Sequence, residues 1–223
     1  MICVALGHCS LDDCLVAIAS EECVELRFDL LPGECSTGVS SLCGGPAQVV
    51  ATFRAKKAVP DHVRREMLLR SIAAGATYVD VDGGDSDVDI RGDIISAARS
   101  SGVKVIVSYH NFQVTPGEEA LKRLRDDAFS LGADIFKVAC AVAHSRDNAT
   151  LLGLLSDHRP QIVIGMGDLG RLTRVVAPLL GSVMTYAAPN HAPGTAPGQL
   201  TAFELRSLQQ SVLSRLGGPV FHE

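Results

Sequence analysis

The sequence predicts an α/β fold, a single (β/α)8 barrel spanning residues 1–223, and three observations predict it. Short apolar runs rich in Val and Ile alternate with longer amphipathic segments eight times along the chain. The composition is 47% hydrophobic but only 4% aromatic, with no Trp, so the core is built from the aliphatic residues that fill buried parallel strands and the helices over them. The length of 223 residues lies between the roughly 150 of a typical domain and the roughly 250 of an α/β barrel. Parallel strands need helical crossovers, and closure removes both sheet edges. An open doubly wound sheet is the alternative arrangement of the same elements.

In chain order, the first unit pairs a strand at 2–6 with a helix at 11–20. The second has a strand at 23–31, in which Glu25, Arg27 and Asp29 alternate with Leu26, Phe28 and Leu30, and a weak helix near 36–42. The next three pair strands at 48–54, 78–82 and 104–112 with helices at 61–74, 88–101 and 118–131, each followed by a capping glycine: Gly75, Gly102 and Gly132. Strands at 135–142 and 161–166 precede helices at 146–158 and 169–180. The last strand, 183–188, and the last helix, 201–216 before Gly217, flank the Pro/Gly-rich stretch 188–198, which reads as a loop over one barrel end, not a linker between domains.

The mean hydropathy of +0.22 excludes disordered and low-complexity classes. A net charge of −5, with no basic run longer than Lys56-Lys57 or Arg64-Arg65, argues against a nucleic-acid partner. Nothing approaches the 18 to 20 apolar residues of a membrane span and the N-terminus lacks a secretion signal, so the expectation is no membrane partner and a cytoplasmic location. Seven cysteines with no Cys-x-x-Cys pair argue against a zinc site. Six of them fall in the first 43 residues, which leaves a disulfide there open.

Among five lysines, only Lys137 lies inside an apolar strand, Ile135-Phe136-Lys137-Val138-Ala139. A buried ammonium is costly unless it is paired or neutral. It is either a nucleophilic amine suited to Schiff-base chemistry or half of an ion pair within the barrel. His110 ends the preceding strand, Val105-Ile106-Val107-Ser108-Tyr109-His110, at the barrel end where active sites assemble, and is either a proton-transfer group or a hydrogen-bonded structural residue. The Glu25, Arg27, Asp29 ladder points into the lumen as a polar network that Arg54 can join, serving either structure or substrate contact. Gly165-Met166-Gly167-Asp168-Leu169-Gly170 has the glycine spacing of a dinucleotide fingerprint, but no carboxylate follows some 20 residues on. A small-anion site there stays open, and Arg174 is a candidate carboxylate clamp.

These residues together resemble the type I 3-dehydroquinate dehydratases, barrel enzymes of the class I aldolase type. The resemblance covers nearly the whole chain, through Glu25-Leu26-Arg27-Phe28-Asp29, Thr52-Phe53-Arg54, Ser108-Tyr109-His110-Asn111-Phe112, Asp134 to Ala139, Thr173-Arg174 and Ala196-Pro197-Gly198-Gln199, with 27 positions from His110 to Lys137. It implies a metal-free, cofactor-free hydro-lyase of the shikimate pathway, acting on 3-dehydroquinate as a homodimer. Lys137 would form the imine and His110 would move the protons. Arg174, Gln199 and Thr195 would hold the substrate carboxylate, while Glu25, Arg27 and Arg54 would hold the ring hydroxyls. Phe112 and Tyr186 would line the pocket, and the segment carrying Thr195 and Gln199 would close over the substrate.

One departure stands out: many members carry a Glu and two glycines shortly after the third-strand Arg, whereas Arg54 is followed by Ala55-Lys56-Lys57-Ala58. Its role in positioning the His would pass to Glu25 or Asp80. Two other readings remain, an aldolase acting on a sugar phosphate and a barrel that binds without turnover.

Overall fold

The computed structural model describes residues 1–55, 59–84 and 88–215, with backbone alone at 88 and 89. The expected features at Lys56, Lys57, Ala58, Leu216 and Gly217 lie outside the described residues. Eight strands, β1 (Ile2–Leu6), β2 (Cys23–Arg27), β3 (Gln48–Thr52), β4 (Tyr78–Asp82), β5 (Lys104–Asn111), β6 (Ile135–Ala141), β7 (Gln161–Met166) and β8 (Thr185–Ala187), form one parallel sheet in the order β7-β6-β5-β4-β3-β2-β1-β8. Each strand lies beside its sequence neighbour, and β1 lies beside β8. This is the order of a barrel, not of a doubly wound sheet. Across the remaining seam, Val183 N–H donates to the Gln161 carbonyl at 2.8 Å.

The outer layer consists of α1 (Leu11–Ser20), α2 (Gly33–Thr37), α3 (Val39–Cys43), α4 (Asp61–Ala73), α5 (Val88–Ser101), α6 (Glu118–Leu131), α7 (Ser145–Gly153), α8 (Arg171–Val176) and α9 (Ala202–Arg215). Ser10 and Asp13 form a reciprocal capping box at the start of α1, which satisfies backbone donors that the first turn leaves unpaired. Gly75, Gly102 and Gly132 all adopt positive φ, as expected of C-terminal caps.

Several boundaries differ from the sequence reading. β2 ends at Arg27, not at residue 31, because Leu30 and Leu31 N–H both turn back to the Arg27 carbonyl and bend the chain away after Phe28, whose N–H still donates to the Thr52 carbonyl. Arg54 and Phe112 follow their strands instead of ending them. The weak helix near 36–42 is two short helices, α2 and α3, meeting at Gly38. The helix expected over 146–158 tightens into a 3-10 turn, Leu154–Ser156, after Gly153. The one expected over 169–180 begins at Arg171 and becomes 3-10 at Ala177–Leu180, where Pro178 contributes no N–H. The last strand shortens to three residues and the last helix starts at Ala202.

Strand alternation divides the interior into two cores. Val24, Leu26, Val49, Ala51, Val105, Val107, Phe136 and Val138 face the helices. Cys23, Val50, Tyr78, Ile106, Ile135, Ile162 and Met184 fill the lumen. Because side chains two apart share a face, the lumen residues that follow these along β2 to β6 are Glu25, Thr52, Asp80, Ser108 and Lys137, all buried. An apolar plug therefore closes the bottom of the barrel beneath a polar layer at the C-terminal strand ends.

Candidate active site

Lys137 is 3% exposed and its ammonium has three partners. Nζ donates to Glu25 Oε1 at 3.2 Å and to Asp80 Oδ2 at 2.9 Å, and it lies 3.9 Å from the centroid of the Tyr186 ring. Of the two readings of this lysine, the ion pair is present in the structure, and the amine also faces a cavity. Glu25 in turn accepts from Thr52 Oγ1 at 2.9 Å.

Asp80 is the hub of the layer. Its Oδ2 also accepts from Arg54 Nη2 at 2.8 Å, while Oδ1 accepts from Ser108 Oγ at 2.6 Å; Ser108 Oγ itself accepts from Arg54 Nη1 at 2.8 Å. Burial by itself pushes this carboxyl upward, but Arg54, Lys137 and His110 outweigh it and hold Asp80 well below the usual carboxylate range. Asp80 is therefore an anion at neutral pH.

His110 follows Ser108 and Tyr109 at the upper end of β5. Burial, reinforced by the Arg54 and Lys137 cations and only partly offset by Asp80, holds the imidazole well below its ordinary value, so it is neutral at neutral pH. Its Nδ1 is buried with no hydrogen-bond partner among the described residues, and its ring stacks on Phe112 at 6.3 Å between centroids. Neither Glu25 nor Asp80 hydrogen-bonds this nitrogen. Asp80 acts on it only through space, partly offsetting the effect of the neighbouring cations.

The polar ladder on β2 divides in two: Glu25 turns to Lys137, whereas Arg27 donates from Nε and Nη2 to the two oxygens of Asp29, both at 2.9 Å, with Asp29 in the turn after the strand. Arg174 is 1% exposed. Its Nη1 donates to the Tyr186 carbonyl at 2.9 Å, Nε has no partner among the described residues, and burial pushes the guanidinium down to about 10. A buried cation with a vacant donor suits an anionic ligand group.

Thr195 and Gln199 sit on the segment after β8. Gln199 Oε1 accepts from Thr195 N at 2.6 Å and from Ala196 N at 3.2 Å, which pins the amide oxygen, and Gln199 lines the cavity. Gly167 N–H donates to the Pro197 carbonyl at 3.2 Å, and Gly198, at φ +73°, lies so close to Gly167 that a Cβ would come within 2.3 Å of its carbonyl oxygen. The segment is docked on the turn after β7.

That contact also settles the glycine motif. A Cβ on Gly170 would lie 2.4 Å from the Gly165 carbonyl carbon, and Gly165 N–H donates to Thr173 Oγ1 at 2.7 Å. These glycines serve strand-to-helix packing, and their own N–H groups are engaged within the protein: Gly165 with Thr173 Oγ1, Gly167 with the Pro197 carbonyl and Gly170 with the Gly167 carbonyl.

All eight predicted site residues, Glu25, Arg27, Arg54, His110, Lys137, Arg174, Thr195 and Gln199, line one cavity of about 360 Å³, with Phe112 and Tyr186 in its wall. Asp82 and Met166 join them. Sequence reasoning did not assign Ser108 or Thr52, and it named Asp80 only as a stand-in for the missing loop Glu. The signal for Asp80 was Tyr78-Val79-Asp80-Val81-Asp82, a second lumen-facing polar alternation like that of β2. Among the described residues no cluster of metal-ligating side chains occurs, and no helix is long and apolar enough to cross a membrane.

Fold and site together define an α/β barrel enzyme whose buried amine and neutral imidazole face one pocket at the C-terminal strand ends. The chain belongs to the type I 3-dehydroquinase family, whose model matches residues 2–213. It is 31% identical over 219 residues to a 3-dehydroquinate dehydratase of Methanococcoides burtonii, covering 94% of this chain and 93% of that one. It is 39% identical over 144 residues to one of Methanosarcina barkeri, an alignment that spans 63% of this chain and 59% of that protein. In fold it is similar to the crystal structure of 3-dehydroquinate dehydratase from Geobacillus kaustophilus, with a TM-score of 0.84, 23% identity, and coverage of 97% and 91%.

Proposed function

We propose that this protein dehydrates 3-dehydroquinate to 3-dehydroshikimate through an imine on Lys137, with His110 moving the protons. The observation that carries the reading is the convergence of a buried amine, a neutral imidazole and a buried guanidinium with a vacant donor on one cavity. Arg174 and the Gln199 amide would bind the substrate carboxylate, with Thr195 beside them. Arg27, Arg54 and Glu25 would hold the ring hydroxyls. That orientation presents the ketone to Nζ.

The neutral imidazole has the free lone pair a base needs, so His110 takes the proton that Lys137 must shed before its nitrogen attacks the carbonyl. The carbonyl oxygen then leaves as water. The protonated imine withdraws electrons from the neighbouring C–H, His110 removes that proton, and the hydroxyl departs as a second water with the proton returned from His110. Hydrolysis restores the ketone and the amine. Glu25 and Asp80 remain beside the cationic nitrogen throughout, and such fixed charges in a water-poor site stabilise it without reorganisation. The packed glycines of the turn after β7 count against the sugar-phosphate aldolase reading.

The homodimer belongs to the same reading. Exposed Leu172 on α8, Phe203 and Leu208 on α9, and Leu169 in the turn before α8 support it, and light scattering should return twice the chain mass of 23.5 kDa.

The decisive experiment incubates the protein with 3-dehydroquinate, reduces with borohydride and maps the adduct, while enone-carboxylate absorbance is followed in an unreduced sample. An adduct on Lys137 with rising absorbance is expected. Lys137→Ala should lose both signals, and His110→Ala should lose turnover while retaining some adduct. Full activity in either variant sinks the mechanism.

A further inference from the structure

We propose that the face of the Tyr186 ring is a further catalytic element, stabilising the positive charge on the Lys137 nitrogen in the protonated imine. The inference rests on the imine reading above. The ring centroid lies 3.9 Å from Nζ, and Tyr186 is 3% exposed. Its backbone is fixed from two sides, by register with Cys3 of β1 and by the hydrogen bond that Arg174 gives its carbonyl at 2.9 Å. Its hydroxyl is buried with no hydrogen-bond partner among the described residues. A buried phenol normally satisfies its hydroxyl, so the polar tip does not account for the placement of this ring.

The chemistry separates what the ring does from what the carboxylates do. An ammonium and a ketone give a protonated imine and water: one C–N double bond forms, the carbonyl oxygen leaves with two of the three ammonium hydrogens, and a charge of +1 stands on each side. Glu25 and Asp80 are bound through N–H groups, and the nitrogen keeps only one of these. The π face responds to the charge and not to the number of hydrogens. It stays engaged when the nitrogen goes from three N–H groups to one and at least one of its carboxylate hydrogen bonds is lost.

The test uses the full chain with Tyr186 replaced by Phe, by mono-, di- and trifluorinated Phe, and by Leu. Fluorine drains electron density from the ring face while nearly preserving its shape. The readouts are the rate of borohydride-dependent labelling of Lys137 by 3-dehydroquinate, kcat and KM separately, and the melting temperature. Tyr186→Phe should stay within about twofold of the parent in kcat, each added fluorine should slow labelling further, and Tyr186→Leu should fall about tenfold in kcat with KM within about twofold. The melting temperature of Tyr186→Phe should match or exceed that of the parent, because an unpartnered buried hydroxyl has been removed. A labelling rate that is flat across the fluorinated series overturns the proposal. So does a Tyr186→Phe variant as slow as Tyr186→Leu, which would assign the effect to the hydroxyl. Absence of any adduct in the parent protein overturns the imine reading, and this inference with it.

Discussion

The carboxylate of Asp80 and the amine of Lys137 lie 2.9 Å apart, both buried, and the same carboxylate oxygen holds Arg54 Nη2 at 2.8 Å. One oxygen thus sets the distance between the proposed nucleophile and a proposed substrate-binding cation. Asp80→Asn would leave these two cations facing each other without the charge that separates them. It should lower kcat/KM about 100-fold and destabilise the fold by about 3 kcal/mol, read from steady-state kinetics and urea unfolding. Ser108→Ala removes a hydrogen bond to Asp80 but no charge, and should cost about 1 kcal/mol.

His110 makes stability depend on pH in a defined window. The unfolded imidazole takes up a proton as pH falls through about 6.5, whereas the folded site holds its pKa well below that value. The unfolded chain therefore binds more protons, and stability declines progressively as pH drops below about 6.5. Above that pH the group is neutral in both states and contributes nothing. His110→Asn should flatten the dependence of the urea midpoint on pH in that range. Asp80, with its carboxyl depressed, contributes above about pH 4 and loses that contribution only as pH falls further, so the two effects separate along the pH axis.

Arg174 is buried with an unpartnered Nε. Removing an unpaired buried charge is seldom destabilising when an apolar chain of similar volume replaces it. Arg174→Met should keep or raise the melting temperature while raising KM for 3-dehydroquinate about 30-fold, through loss of a charge-assisted carboxylate contact. A variant that melts higher and keeps the parent KM would remove Arg174 from the binding site.

The segment bearing Thr195 and Gln199 depends on a glycine contact. Gly198 adopts φ +73° against the Gly167 backbone, so Gly198→Ala adds both strain and overlap. The expected result is a raised KM and faster proteolytic nicking within residues 189–199, with a loss of roughly 1 to 3 kcal/mol in global stability.

All seven cysteines are buried free thiols. The disulfide that the clustering of Cys3, Cys9, Cys14, Cys23, Cys35 and Cys43 left open is not formed. Burial pushes the Cys43 thiol up to about 11 and the Cys140 thiol up to about 12, which suppresses the reactive thiolate. Ellman's reagent should detect almost no thiol in the native protein and seven after denaturation. Five after denaturation would reveal a disulfide.

The sequence by itself determined the alternation of strand and helix and the barrel that alternation implies, because strand periodicity and amphipathic period are local properties written in consecutive side chains. A lysine in an aliphatic strand and a histidine at a strand end were legible for the same reason. The tertiary structure decided what those residues touch. The partners of Lys137 come from β2, β4 and β8, as many as 112 positions away, and only closure of the barrel brings Glu25, Asp80 and the Tyr186 ring onto one nitrogen. It also decided where β2 stops, since the turn at residues 28–30 is drawn by backbone bonds to Arg27 that no hydrophobic pattern records. Likewise, only the fold shows why the turn after β7 needs glycines, since Gly170 packs on the Gly165 backbone and Gly198 on the Gly167 backbone. Pairing, desolvation and close contact depend on distances through space, and a linear sequence specifies these only once it has folded.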